Sequence, residues 1–288
     1  MSRIAQARTA AAQLTGLATD GAQAIGGHVI EVDLACGGTV VAKRHDEPSA
    51  VLAEVASLEW LAEPDGPPVP QVRGHDHEWL IMDQVEPGRS SAPAAEDLGR
   101  RLAALHATGA PTFGAAPPGG PVDAWIGLAP MRNDTGEDWP AWFAEHRIAP
   151  YVRSAVDAGS LEADDAAVLD EVCAKLDSLA GQRESPSRLH GDLWNGNVLW
   201  AADGRAWLID PAAHGGHRES DLAMLALFGC AHLDRVLAAY DEAVPLADGW
   251  RERVPLHQLF PLLVHTVLFG GGYARSAVAA ARAALRVA

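Results

Sequence analysis

The sequence predicts an α+β protein with a small antiparallel sheet followed by a larger, mostly helical region. Residues 22–28, 29–34 and 39–44 show the alternation and turn residues of three short strands. Further along, leucines recur at helical spacing between residues 98 and 105. The chain has 288 residues, of which 48% are hydrophobic. That is enough to bury a substantial core, and we expect two lobes.

The charge balance of the chain argues against a nucleic-acid partner. The formal net charge is −16, from 38 acidic and 22 basic residues. Nucleic acid is therefore not expected as a partner, because phosphate backbones bind clustered Lys and Arg. An amine-bearing substrate fits an acidic chain better. The composition leaves the oligomeric state open.

Cysteine usage and hydropathy predict a cytoplasmic protein. Cys36, Cys173 and Cys230 are scattered and odd in number, which argues against a disulfide framework. The N-terminus lacks the apolar core of a signal peptide. The apolar stretch 256–273 is too short and too often interrupted by polar residues and proline to span a bilayer, so no membrane partner is expected.

The first lobe contains a candidate nucleotide site. A turn at residues 36–38 places Lys43 late in the third strand. Pro48 and Ser49 then open a helix with Leu52, Val55, Leu58 and Leu61 on one face, so Glu54 lies near its first turns and off the apolar stripe. Kinases pair a third-strand lysine with a glutamate on the next helix. Gly26 and Gly27 form only part of a glycine-rich phosphate cover, because the full G-x-G-x-x-G pattern is absent.

The connection between the lobes follows two more strand-like segments, 71–75 and 79–82. We predict an N-terminal nucleotide-binding lobe over 1–82, a hinge over 83–88 and a catalytic and substrate lobe over 89–288. In a kinase the hinge contacts adenine through backbone groups, here those of Asp83, Gln84 and Val85.

The most informative segment runs from His190 to Asn197 and continues to Asp210. Segments 198–200 and 206–209 read as two strands joined by the turn 202–205. This hairpin brings Asn197 and Asp210 to one end, where their oxygens can hold Mg²⁺ against ATP phosphates, while Asp192 can accept a hydroxyl proton. Each residue alone could be a turn or capping residue. Their combined spacing predicts a phosphoryl-transfer centre and a protein-kinase-like two-lobe fold.

Other candidate sites have simpler interpretations. Trp139, Trp142 and Phe143 lie in a helix predicted to start near Asp138, and aromatic residues at this spacing usually pack a core. The segments 75–77 and 214–217 each contain two histidines. We expect neither to bind a metal, because each lies in a turn and lacks a third ligand nearby.

With these motifs in place, the chain resembles the fructosamine (ketosamine) 3-kinase family, a branch of the kinase-like aminoglycoside and choline phosphotransferases. The more specific matches are Asp192-Leu193-Trp194 together with Glu137-Asp138-Trp139. The resemblance covers nearly the whole chain, through the stretches 54–58, 98–106, 113–114, 137–148, 190–197, 210–211, 216–223 and 258–270.

The resemblance implies roles for individual residues. Asp192 would take the proton from a sugar 3-hydroxyl, and Lys43, held by Glu54, would position the ATP α/β-phosphates. Asn197 and Asp210 would bind Mg²⁺.

It also implies that Trp194 and His265 line the ketosamine pocket and that Asp221 braces the catalytic loop. Redox-regulated members carry a cysteine in the first turn. Here Cys36 lies beyond the next strand, so no such switch is expected.

We therefore predict an ATP- and Mg²⁺-dependent kinase acting on the 3-hydroxyl of free or protein-bound ketosamines, with deglycation repair as its role. Phosphorylation of an aminoglycoside, choline or another amino alcohol is the alternative within enzymes. A nucleotide-binding scaffold would need a broken catalytic position, and all five catalytic and nucleotide-binding side chains are present. The preferred ketose stays open.

Overall fold

The computed structural model describes residues 1–286 and confirms an α+β fold with an antiparallel N-terminal sheet and a helical C-terminal part. The elements of the N-terminal part are α1 Arg3–Thr15, β1 Thr19–Ala24, β2 Val29–Leu34, β3 Thr39–Arg44, α2 Pro48–Leu61, β4 Val72–His75 and β5 Trp79–Asp83.

The C-terminal part combines long helices with three short two-stranded sheets. Its elements are α3 Ala92–Ala107, β6 Asp123–Ile126, β7 Ala129–Arg132, α4 Trp139–Phe143, α5 Ala149–Asp157, α6 Ala163–Leu179, β8 Ser187–Leu189, β9 Val198–Trp200, β10 Ala206–Leu208, β11 His214–Gly216, α7 Glu219–Leu227, α8 Leu233–Ala243, α9 Trp250–His257, α10 Leu259–Phe269 and α11 Gly272–Leu285. None of these helices is long and apolar enough to cross a membrane.

The N-terminal sheet has the order β1-β2-β3-β5-β4, with antiparallel neighbours throughout. Helix α1 covers one face, where Val40 and Ala42 are buried. Helix α2 covers the other face, against Leu80 and Met82. Because side chains alternate along a strand, Lys43 lies on the same face as Val41, towards α2.

Two local predictions for this part were wrong. The first strand covers Thr19–Ala24 rather than 22–28, because the chain turns at Ile25, whose N–H bonds to the carbonyl of Val29. In α2, Leu52 is 47% exposed and Val51 is fully buried. The helix packs against the sheet and, through Ala53, against the C-terminal core, so its buried residues are not confined to one stripe.

The C-terminal part has two apolar cores, one around α5, α6, α10 and α11 and the other around α3, α8 and the β9–β10 hairpin. Gly99 allows α3 and α8 to approach closely, since a Cβ there would lie 2.2 Å from the carbonyl oxygen of Val236. The predicted helix near Asp138 begins at Trp139, and its aromatic residues are buried as expected.

Two buried histidines lie among these aromatic residues. The ring centroid of His214 is 6.1 Å from that of Trp142, and the ring of His217 is 5.0 Å from that of Trp139. Burial, reinforced by the Arg147 guanidinium, lowers the pKa of His214 to about 3. Burial and the neighbouring His257 hold the pKa of His217 well below its usual range. Both rings are therefore neutral in the folded protein near neutral pH.

This neutrality makes stability depend on pH. Unfolded histidine titrates near pH 6.5, so below that pH the unfolded chain binds more protons than the folded one and stability falls. From pH 7.5 to pH 5.5 we expect each histidine to contribute a loss of about 1 kcal/mol. Urea unfolding of matched variants isolates this contribution, because the raised pKa of Asp192 acts in the opposite direction over the same range. The buried carboxylates with lowered pKa contribute only below about pH 4.5.

The matched variants are His217→Asn, whose Oδ1 can replace the ring Nδ1 as acceptor from the Glu219 N–H, and His77→Asn, at an exposed position. The first is expected to flatten the pH dependence and the second to leave it unchanged. An undiminished slope in His217→Asn would contradict the assignment.

Candidate active site

A cavity of 610 Å³ lies between α2, the β6–β7 hairpin, the loop before β9 and α10. Seven of the side chains that the sequence singled out line it: Lys43, Glu54, Asp192, Trp194, Asn197, Asp210 and His265.

An ion-paired cluster closes the sheet side of this cavity. Lys43 Nζ lies 3.0 and 2.8 Å from the two carboxylate oxygens of Glu54 and 2.9 Å from Asp210 Oδ1. His45 Nε2 lies 2.9 Å from Glu54 Oε2. The predicted contact between the third strand and the next helix is therefore formed.

Each charged group in this cluster keeps its partner ionised. Burial by itself would raise the pKa of Glu54, but Lys43 and His45 outweigh it and lower the pKa to about 2. Burial likewise opposes the charge on Lys43, yet Glu54 and Asp210 raise the lysine pKa above its usual range. Both groups are ionised at neutral pH, so a fixed ion pair faces the cavity.

The loop that carries Asp192 is held by a buried carboxylate on α7. Asp221 accepts hydrogen bonds from the His190 and Gly191 backbone N–H groups, at 2.8 and 3.0 Å. The ring of His106 lies 3.1 Å from the same carboxylate. Gly191 has φ +83°, and a Cβ there would lie 2.1 Å from the carbonyl oxygen of Ala212. The tight turn thus requires glycine.

The carboxyl group of Asp192 has a pKa well above that of an ordinary aspartate. Burial raises its pKa to about 7; Asp210 and Asp221 push in the same direction, against a hydrogen bond from Asn197. Asn197 Nδ2 donates to the Asp192 backbone carbonyl at 2.7 Å and to Asp192 Oδ2 at 3.1 Å. A base with a pKa near the working pH is best matched to proton transfer.

The β9–β10 hairpin forms as predicted and brings Asn197 and Asp210 together. Leu208 pairs with Val198, and the N–H of Ile209 bonds to the Asn197 carbonyl at 3.1 Å. Asp210 adopts φ 53°, a left-handed conformation that aspartate tolerates. The carboxylate of Asp210 and the Oδ1 of Asn197 are hard oxygen donors, which fit Mg²⁺.

Aromatic side chains form another wall of the cavity. Trp194 is 39% exposed, and its ring lies 6.0 Å from that of Phe228. The ring of Phe228 lies 5.2 Å from His265, whose Nδ1 donates to the Pro261 carbonyl at 2.7 Å. Trp194 and His265 are thus joined through Phe228, which the sequence did not single out.

The remaining nucleotide-site candidates lie outside the lining of this cavity. Gly26 and Gly27 occupy the β1–β2 turn. In the segment predicted as the hinge, Asp83, which ends β5, pairs with Arg73, and Gln84 Nε2 donates to Glu31 Oε1 at 2.6 Å. These contacts tie the start of that segment to the sheet. Adenine contacts through the backbone of Asp83, Gln84 and Val85 stay a prediction.

Sequence reasoning missed a group of metal-ligand residues brought together from two helices and a loop. His217, Glu219 and His257 place their ligand atoms within 4.8 Å of one another. However, Arg253 donates to both oxygens of Glu219, at 2.9 and 2.6 Å. A divalent cation would have to share the carboxylate with that guanidinium, so we interpret the group as a buried ion-pair network.

The contacts of Asp221 generate a prediction. Asp221→Asn would place an NH₂ group where two N–H donors now converge, leaving a buried donor unpaired at a cost of about 1–3 kcal/mol. We expect a lower urea midpoint and slower phosphoryl transfer. The control Asp234→Asn changes an exposed residue of α8. Unaltered stability and turnover in Asp221→Asn would show that the carboxylate does not support the loop.

Comparison with known proteins agrees with this geometry. A model of the family described as fructosamine kinase matches residues 39–286. A Synechocystis protein assigned as a ketoamine kinase is 33% identical over 240 residues, covering 82% of this chain and 78% of its own. A chloroplastic protein-ribulosamine 3-kinase of Arabidopsis thaliana is 32% identical, covering 69% of this chain and 60% of its own.

Solved structures extend the likeness to the whole fold. A crystal structure from Thermobifida fusca, assigned as a fructosamine-3-kinase, is 47% identical with a TM-score of 0.90, covering 97% of this chain and 98% of its own. A choline kinase of Streptococcus pneumoniae, 14% identical with a TM-score of 0.62 over 93% of this chain and 94% of its own, shares the fold alone. The protein is therefore a phosphotransferase, and its chain belongs to the fructosamine kinase family.

Proposed function

We propose that the protein is an ATP- and Mg²⁺-dependent kinase that phosphorylates the 3-hydroxyl of ketosamines in the cytoplasm, where it repairs glycated amines. The observation that carries the proposal is the convergence of Asp192, Asn197 and Asp210 on one cavity, beside the Lys43–Glu54 pair. The names of the relatives support a ketosamine as the acceptor.

The arrangement supports direct phosphoryl transfer. Asp192 accepts the proton of the acceptor hydroxyl while the hydroxyl oxygen forms a bond to the γ-phosphorus of ATP. The bond between the γ-phosphorus and the oxygen that bridges to the β-phosphate breaks, and ADP is released. Lys43, held by Glu54, positions the α/β-phosphates. Mg²⁺, held by Asn197 and Asp210, would neutralise charge on the phosphates.

The charges around the cavity favour a cationic acceptor. Among the described residues, one lysine and one arginine line the cavity, and each is already paired with a carboxylate. Lys43 pairs with Glu54, and Arg44 pairs with Glu78 at 3.3 Å. Asp46, Glu47 and Asp192 also line the cavity. An ammonium group beside the acceptor sugar is attracted by this excess of carboxylates.

Phosphorylation at the 3-hydroxyl then makes the adduct prone to eliminate phosphate and release its amine.

A substrate panel tests the proposal. Purified protein with ATP and Mg²⁺ is given ribulosyl-lysine, fructosyl-lysine, an aminoglycoside or choline, and ADP release and the phosphorylated product are measured. We expect transfer to at least one ketosamine, at O3 in the product analysed by NMR. Activity confined to the aminoglycoside or choline would refute the ketosamine assignment.

The role of Asp192 has its own test. Asp192→Asn preserves the shape of the side chain but removes the base, so turnover is expected to fall about 10²- to 10⁴-fold with ATP affinity largely kept. Calorimetric ATP titration and steady-state kinetics separate the two effects. Asp177→Asn, on the exposed face of α6, is the control. Turnover equal to the control would remove Asp192 from its role.

A further inference from the structure

Arg147 is a buried cation that the mechanism above does not use. It is fully buried, and burial lowers its pKa to about 10. No carboxylate of the described residues lies within salt-bridge distance. Its guanidinium instead donates to the carbonyls of Arg132 and His146, at 2.9 and 3.2 Å, and to Asn133 Oδ1 at 3.2 Å. Burying a cation among neutral groups costs free energy, so the burial of Arg147 suggests that it has a specific role.

The backbone around Arg147 is also unusual. Residues Ala144–Ile148 form a π-helical turn between α4 and α5. Such turns are rare and are frequently found at functional sites. The guanidinium lies 4.6 Å from the ring centroid of Trp142 and 5.3 Å from that of Phe260, which limits its movement.

Asn133 links this arginine to the active-site cavity. It follows β7, is 3% exposed and lines the same cavity as Asp192. Because its Oδ1 accepts from Arg147, the amide cannot flip without turning its NH₂ towards a cation. Its Nδ2 is buried and, among the described residues, has no hydrogen-bond partner. The wall of the cavity therefore holds an oriented donor that lies just beneath its surface and has no partner among the described residues.

We propose that Asn133 recognises the acceptor, its Nδ2 donating a hydrogen bond to an oxygen of the sugar, and that Arg147 is the positioning residue that fixes the amide. An unpaired buried donor is unfavourable, and a bound oxygen relieves that cost. The contact favours acceptors rich in hydroxyl and carbonyl oxygens. This inference rests on the proposed ketosamine activity.

Asn133→Asp is the most informative variant. It keeps the shape of the side chain and gives Arg147 a carboxylate partner, so the melting temperature is not expected to fall. It removes the donor and sets a carboxylate oxygen, whose charge Arg147 balances, against the oxygen of the sugar, so kcat/KM for the ketosamine is expected to fall at least tenfold, mainly through KM, with KM for ATP unchanged. Gln182→Glu makes the same amide-to-acid change at an exposed site and is the control.

Each result has one meaning. Wild-type kcat/KM for the ketosamine in Asn133→Asp overturns the inference and leaves Asn133 as an anchor for Arg147. An equal rise in KM for ATP and acceptor overturns it too. If the wild type itself transfers phosphate only to an aminoglycoside or choline, the proposed function fails instead.

A second pair of variants covers the case in which Asn133→Asp folds poorly. Asn133→Ser keeps a hydroxyl donor and Asn133→Ala does not, so the serine variant is expected to retain a higher kcat/KM for the ketosamine when their melting temperatures match. Equal values would overturn the inference. Arg147→Lys is expected to raise KM for the ketosamine without changing KM for ATP, because lysine cannot reproduce the planar fork of donors.

Discussion

The buried ion pair between Lys43 and Glu54, extended to Asp210, is the interaction on which the active site depends. It joins the consecutive elements β3 and α2 to the segment after β10, where Asp210 lies 167 residues beyond Lys43. Glu54 can stay ionised at its buried position only because Lys43 and His45 face it. Removing either partner of such a pair leaves a buried charge uncompensated, which is more damaging than losing an apolar contact.

Helix α7 supplies a second support, beneath the loop that carries Asp192. Asp221 holds the loop through two backbone N–H groups, and Glu219, two residues earlier, is held by Arg253 of α9. One helix therefore fixes the turn at Gly191 and is itself fixed by an ion pair on its far side. These buried charges make the loop rigid. A rigid loop matters because a base on a flexible loop would be poorly oriented towards its substrate.

The two halves of the cavity differ in character. The half around Lys43 and Asp210, which we propose binds the phosphates, combines fixed charges with hard oxygen donors. The half that we propose binds the acceptor is mainly aromatic and apolar, and Asn133 is one of its few polar groups. A sparse set of fixed polar groups on an apolar wall gives strong selectivity, because an acceptor that leaves a buried donor unpaired is penalised.

The sequence alone determined the features that depend on local geometry. The hairpin that joins Asn197 to Asp210, the strand position of Lys43 and the helix that begins at Pro48 follow from turn chemistry and periodicity over a few residues. The tertiary structure decided the rest. The exposure of Leu52 and the orientation of Asn133 by Arg147 depend on which elements pack together. Such contacts leave no periodic pattern in the sequence, because each depends on how segments that are separated along the chain pack against one another.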